Sequence, residues 1–322
     1  MPPRVYRGKS AFEFKPKSGG TVRLCGLDAT NSAVWQAYEK QIEISKASSS
    51  VNALIREFFD SADFRDLAMN TQKDYTKYSK KVLSAFGPMQ SDKVQPKHVR
   101  QFMDILGQKS PVQANRHKAF LSRTYRWAFE RGKVASNPCI GVKQFKETPR
   151  DRYVEDYEYQ AVYNHACAVV KAAMEISYLC MARKADVVKL HKSQLLEQGI
   201  YIKQGKTGKK QIKEWGPRLR AAVTFAKAEA GNVESMFVLQ QKNGSSFALA
   251  SFDQRWRKAI IKAREATELP LDFTFHDLKA KGISDYAGTT AEKQRASGHK
   301  SESQISIYDR TVQVVPTVES KK

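Results

Sequence analysis

Four cysteines in 322 residues, Cys25, Cys139, Cys167 and Cys180, stand far apart along the chain. They have neither metal-ligand spacing nor the density of a disulfide framework, so a zinc module and a disulfide-stapled domain are both excluded. No apolar run approaches the ~18 residues of a membrane span, and no lipidation motif stands at either end. The opening "MPPRVYRGKS" lacks the apolar core of a secretory signal. The expected compartment is therefore the cytoplasm, with reduced thiols and no membrane partner. Acidic residues are also short: 33 Asp and Glu face 55 Lys and Arg, a formal net charge of +22. That excess asks for a polyanion, and without an apolar anchor nucleic acid is favoured over an anionic membrane. With 41% hydrophobic and 10% aromatic residues the chain can bury real cores, and its length suggests two domains with a small third module.

The fold class expected is multidomain and mainly α with small β elements. Residues 1–47 read as an N-terminal β-sheet arm followed by a helix. There "RVYRGKSAFEF" and "TVRLCGL" alternate apolar and polar residues around the turn signal "KPKSGG". Its cations Arg4, Arg7, Lys9 and Arg23 are either a solvated arm or a DNA-contacting face. The serines at 48–50 are either a linker or a helix N-cap. Residues 48–147 read as an all-helical domain. One helix begins at Asn70 or Thr71, carries Lys73, and stops at Gly87-Pro88. Another begins at "SPVQ" and sets Arg116 and Arg123, seven residues apart, on one face with Arg126 near it. Any one of these arginines fits a solvated face. As a set in so basic a chain they fit contact with phosphates. A Pro- and Gly-bearing linker then leads to a mixed α+β domain over 153–322.

Five pieces of that last domain carry unusual polar chemistry. Arg183 lies where an apolar helix turns polar, with Asp186 three residues on: a surface ion pair, or a guanidinium oriented to grip phosphate. Lys206 lies in "GKTGKK" between two predicted strands. The context is wrong for a nucleotide phosphate loop, which leaves a solvated lysine or a proton donor to a leaving oxygen. His276 and Lys279 share a face at a helix start, where anions are favoured. His299 follows Gly298, and Tyr308 comes nine residues later on a helix expected to begin at Ser301. A phenol titrates near ~10, so as a nucleophile it needs cations or a base beside it.

In this order and spacing the five pieces resemble the tyrosine recombinase family, the phage integrases. "ARKADVVKL", "KTGKKQI", "HDLKAKG" and "SGHKSESQISIYDR" match its boxes. The catalytic set implied is Tyr308, Arg183, Lys206, His276, Lys279, His299 and Asp186. The family's second arginine is a lysine here, Lys279, with Lys281 as a further cation nearby. The resemblance implies double-stranded attachment-site DNA as substrate, cleaved and rejoined through a 3′-phosphotyrosyl link without metal or other cofactor. It also implies a homo-tetramer on DNA, a DNA-bending host protein and an excisionase as partners, and a nucleoid-associated location in a bacterial host. Residues 311–315, "TVQVV", are expected to pack as a strand. Two alternatives stay open: a catalytically weakened DNA-binding accessory protein of the same family, and a type IB topoisomerase-like enzyme.

Overall fold

A computed structural model of the chain describes residues 1–16, 19–229, 233–312 and 315–317. The chain divides into two compact units, Met1–Thr148 and Pro149–Lys322.

The first unit opens with β1 (Val5–Arg7), β2 (Ala11–Phe14) and β3 (Val22–Gly26), antiparallel and in that order. Strand alternation puts Val5, Phe12 and Phe14 on one face, packed on Val34, Tyr38 and Ile42 of α1 (Asn31–Ser48). The register sets Tyr6, Glu13 and Arg23 side by side on the other face. Arg4, Arg7, Lys9 and Arg23 are all exposed. Residues 17 and 18 of the expected turn lie outside the described residues.

Five helices follow: α2 (Val51–Phe59), α3 (Ala62–Arg65), α4 (Met69–Phe86), α5 (Pro96–Gly107) and α6 (Pro111–Phe129). Ser50 is an N-cap, its hydroxyl accepting from Ala53 N at 3.2 Å. Helix α4 begins at Met69, ahead of the expected Asn70 or Thr71, and has no side-chain cap. Helix α6 starts on Ser110 and Pro111, and it buries Phe120, Leu121, Tyr125 and Ala128 against α2, α4 and α5. Its Arg116, Arg123 and Arg126 stay exposed, as do Lys73, Lys77, Lys80 and Lys81 of α4.

The second unit begins with α7 (Asp156–His165) and α8 (Ala168–Leu179), then α9 (Lys184–Val188). The hairpin β4 (Gly199–Lys203) and β5 (Lys210–Glu214) comes next, followed by α10 (Pro217–Glu229) and α11 (Leu249–Thr267). The chain ends on three short helices, α12 (Asp277–Asp285), α13 (Thr290–Ser297) and α14 (Ile305–Tyr308). Met174 and Ile176 of α8, Ile200, Phe252, Trp256 and Leu278 belong to one core. The helix expected from Ser301 to Tyr308 is instead a 3-10 turn, Glu302–Gln304, and then α14. Ser301 makes no side-chain cap bond there. Ile305 alone is buried in this polar stretch, and it packs with Met181 and Ile283. The strand expected at 311–315 falls partly outside the described residues, and Thr311, Val312 and Val315 are not in a strand.

One close approach sets the position of α12. A Cβ on Gly282 would lie 2.2 Å from the carbonyl oxygen of Tyr178, so α12 rests backbone-to-backbone on α8. A helix-interior Gly→Ala change ordinarily stabilises by ~0.5–1 kcal/mol. Here the sign reverses, because backbone cannot yield to the new methyl as a flexible side chain would. Gly282→Ala is expected to lower stability by ~1–3 kcal/mol, whereas Gly216→Ala, with nothing within 4 Å, stays within about ±0.5 kcal/mol. Thermal unfolding of the two variants beside the parent protein checks both values.

Candidate active site

The site is assembled from three segments of the second unit that meet around the end of α8. Helix α8 ends in a sharp turn in which Met181 takes a left-handed backbone, φ 50°. Ala182 N–H returns to Ser177 O at 3.0 Å, and Ser177 Oγ donates to Ala182 O at 3.0 Å. This turn delivers Arg183 to the N-cap of α9. The expected ion pair between Arg183 and Asp186 is not formed. Arg183 Nη1 donates to Gln204 Oε1 at 2.6 Å, and Asp186 Oδ1 accepts from Gly205 N at 3.0 Å. Both side chains therefore tie α9 to the hairpin, the guanidinium being oriented by an amide rather than by a carboxylate.

The hairpin in turn holds the loop that carries His299. Gln204 Nε2 donates to Ser297 O at 2.9 Å, Gln211 Nε2 to Arg295 O at 2.6 Å, and Lys213 Nζ to Ala296 O. Gly298 ends α13 in the left-handed region at φ 71°. A Cβ there would lie 2.5 Å from both glutamine amides, so only glycine lets the loop seat. His299, 6% exposed, shares a 2.7 Å hydrogen bond between Nδ1 and Ser297 Oγ, and its buried Nε2 has no partner among the described residues.

Helix α12 supplies the third segment. His276 is its N-cap, and Lys279 lies one turn in, 1% exposed, with no partner for its ammonium among the described residues. Tyr308 closes α14 beside them. Its hydroxyl is 3.3 Å from His276 Nε2, its ring 4.7 Å from the His299 ring centroid, and Lys279 Nζ lies 5.9 Å from its own ring centroid. An open cleft of about 620 Å³ runs beside His276, lined also by Lys184, Arg257 and Arg264.

The structure thus draws Arg183, His276, Lys279, His299 and Tyr308 together, with Asp186 of α9 bonded to the hairpin turn. Lys206 stays exposed in that turn, and its ammonium has no hydrogen bond or ion pair among the described residues. Lys281 is not a spare cation. Its buried ammonium is held by Asp156 at 2.7 Å, Asp285 at 3.0 Å and the Tyr153 hydroxyl at 3.0 Å. Gln204, Gln211 and Lys213 were not among the sequence candidates. A signal existed in "KQIKE": the polar Gln211 and Lys213 alternate with Ile212, which is exposed, so this strand turns its polar side inward.

Burial and like charge together depress Lys279, His299 and His276. Lys279 is brought down to about 7, first by desolvation, then by Arg183 and Lys213, with Asp186 opposing. His299 falls to about 4, again first by burial and then by Lys279 and Arg183. His276 is lowered by burial and by Lys279. Both imidazoles are therefore neutral at pH 7. Among the described residues no group of three His, Cys, Asp or Glu side chains stands where it could hold a metal ion.

The linkage has a definite sign. Lys279 binds its proton less readily in the folded protein than its ordinary value of 10.5 allows. Between pH 7 and 10.5 the unfolded chain carries more protons, so this group makes stability rise with pH through that window and adds nothing further below it. Lys279→Met removes the term. Melting temperature plotted against pH from 7 to 10 is expected to climb more steeply for the parent protein than for the variant. Parallel curves would show that Lys279 keeps its charge in the DNA-free fold.

Known proteins share both sequence and architecture with this chain. The integrase of Escherichia phage HK022 is 27% identical over 208 residues, covering 59% of this chain and 56% of that protein. The integrase of Escherichia phage lambda is 26% identical over 204 residues, with the same shares covered. The matched length is thus a little over half of these curated relatives. Among solved structures, a lambda integrase dimer bound to a COC′ core site superposes with a TM-score of 0.70 at 19% identity, covering 98% of each chain. A Tn1549 transposon integrase fragment in complex with circular intermediate DNA does so with a TM-score of 0.68 at 12% identity, covering 85% of this chain and 98% of that one. At such identities the likeness is one of fold. The sequence of residues 152–313, half of the chain and the whole of the site just described, matches the phage integrase family. The chain belongs to that family, the tyrosine recombinases.

Proposed function

We propose that this protein is a site-specific recombinase that cleaves and rejoins double-stranded DNA, with Tyr308 as nucleophile. The observation that carries the reading is the Tyr308 hydroxyl 3.3 Å from a neutral imidazole nitrogen of His276, beside the half-buried Arg183 and the buried Lys279. His276 Nε2 takes the phenol's proton as the oxygen attacks a backbone phosphorus. The new bond is a 3′-phosphotyrosyl ester. The bond to the 5′-oxygen breaks, and the leaving oxygen takes a proton from Lys206, which is exposed and unconstrained enough to follow it. Arg183, Lys279 and the free Nε2–H of His299 bear on the non-bridging oxygens, where charge develops. The last role needs His299 Nδ1 to accept from Ser297 Oγ–H, the arrangement that leaves a donor on the unpartnered nitrogen. An arriving phosphate favours the charged form of Lys279, so a lysine can serve where the family has arginine. Asp186 acts through the hairpin turn, not through Arg183. The ester keeps the energy of the phosphodiester, so the 5′-hydroxyl of a second strand reverses the attack.

DNA contact outside the site is assigned to two basic surfaces of the first unit. One is the small sheet, with Arg23 and the half-exposed ring of Tyr6 on its outer face, together with the exposed Arg4, Arg7 and Lys9 beside it. The other is the exposed side of α6 and α4, with Arg116, Arg123, Arg126 and Lys73. The working assembly proposed is a homo-tetramer on paired attachment sites in a phage or mobile element, in the cytoplasm of its bacterial host and on the nucleoid. A DNA-bending host protein and an excisionase are its proposed accessory partners.

The test begins with the attachment site, recovered from DNA flanking the coding region and built into a nicked suicide duplex. The parent protein is expected to form an SDS-resistant adduct, and Tyr308→Phe none. Lys279→Ala lowers the rate of adduct formation ~10²–10³-fold, the usual cost of one lost oxyanion donor. An adduct with Tyr308→Phe would sink the assignment of the nucleophile. Binding without any adduct from the parent protein would favour the accessory-protein reading, to which the depressed charge of Lys279 lends support.

A further inference from the structure

We propose that Arg310 is a positioning residue for the nucleophile: its buried pair with Asp277 clasps the Tyr308 segment to α12. The inference rests on the reading of Tyr308 given above and adds a residue to it.

An arginine two positions beyond a phosphate-attacking tyrosine invites assignment as one more phosphate contact. The geometry points elsewhere. The Arg310 side chain is 7% exposed and that of Asp277 2%, with Nη1 to Oδ1 at 2.7 Å. The same nitrogen donates to Arg152 O at 2.6 Å. The second carboxylate oxygen of Asp277 accepts from Thr274 N and Thr274 Oγ1, both at 2.8 Å, and has Arg150 Nε at 3.3 Å. Arg310 thus turns inward, to a carboxylate already fixed at the start of α12. Asp277 directly follows His276, the residue that faces the Tyr308 hydroxyl.

The segment needs such an anchor. Helix α14 has four residues and one buried side chain, Ile305, and a helix that short does not hold itself. Ser284 Oγ accepts from Arg310 N at 2.8 Å and donates to Tyr308 O at 3.3 Å. Lys293 pairs with Asp309 at 2.7 Å. These contacts fix the backbone on either side of Tyr308, but they are partly exposed, whereas the Arg310–Asp277 pair is closed off from water. Removing Asp277 would strand the buried guanidinium of Arg310, so the pair resists separation. Without it the phenol is free to drift, and misplacement by about 1 Å costs on the order of 10²-fold in rate.

The test uses the full chain with Arg310→Gln, Asp277→Asn and the conservative Arg310→Lys. Hydrogen exchange of residues 305–311 is followed without DNA. Adduct formation is followed at saturating concentrations of the nicked attachment-site duplex. For Arg310→Gln we expect exchange faster by ~10-fold or more and a saturating cleavage rate lower by ~10²-fold. DNA affinity and its salt dependence stay unchanged, and Arg310→Lys recovers part of the rate. A phosphate contact would instead weaken binding and cut the salt slope by about 1. That result, or unchanged exchange with unchanged rate, overturns the proposal. If a single variant fails to fold, Asp277→Asn with Arg310→Gln in one chain, which leaves no buried charge unpaired, reads the same two quantities against the same criteria. A parent protein that forms no adduct removes the recombinase reading and the positioning role with it, while the exchange measurement still decides whether the clasp holds the segment.

Discussion

Arg183, Lys213 and Lys279 crowd one corner of the second unit with two histidines, and like charges repel. What holds them is mostly neutral. Gln204 takes Arg183 on its oxygen and the end of α13 on its nitrogen, and Lys213 is stopped by a backbone carbonyl. Asp186, the nearest acid, spends one oxygen on the hairpin turn. A carboxylate in place of Gln204 would satisfy the local charge and spoil the site, because a phosphate would then compete with a resident anion. Amide and backbone oxygens hold cations without neutralising them. The repulsion that remains would be relieved by an entering anion, as the proposed phosphate site requires.

Part of this was legible in the sequence. The spacing of Arg183, His276, His299 and Tyr308 could be read as a constellation because short boxes keep their local order whatever the tertiary fold. The hairpin and α6 were legible from strand alternation and from a Ser-Pro start. What could not be read depends on contacts across long sequence separations. Gln204 and Gln211 reach residues of α13 more than 80 positions away, and a glutamine carries no local mark of such a role. Lys281 looked as available as Lys279. Asp156, far upstream, removes the one from use, while burial without a partner changes the charge of the other. The pairing of Arg183 with Asp186 failed for a related reason. Three-residue spacing permitted an ion pair, but Arg183 is the cap of α9 and its guanidinium turns to Gln204 of the hairpin instead.

The two units differ in how they display charge. The first offers broad, exposed positive surfaces with few specific geometries, as on α6, where one side is core and the other is water. Such surfaces suit a polyanion whose phosphates repeat along a line. The second concentrates its polar chemistry in a corner where single atoms matter. There desolvation makes a misplaced charge costly and a well-placed one effective.

The seating of α12 on α8 has a mechanical consequence. With backbone against backbone at Gly282 and Tyr178, no side chain separates the helices at that point. The end of α8 and the start of α12 therefore move as one body. Arg183 and Lys279, mounted on either side of that contact, keep their spacing when the rest of the unit shifts. The corner that carries the cations is thus stiff, and the Tyr308 segment is fastened to the same helix through Asp277 and Ser284.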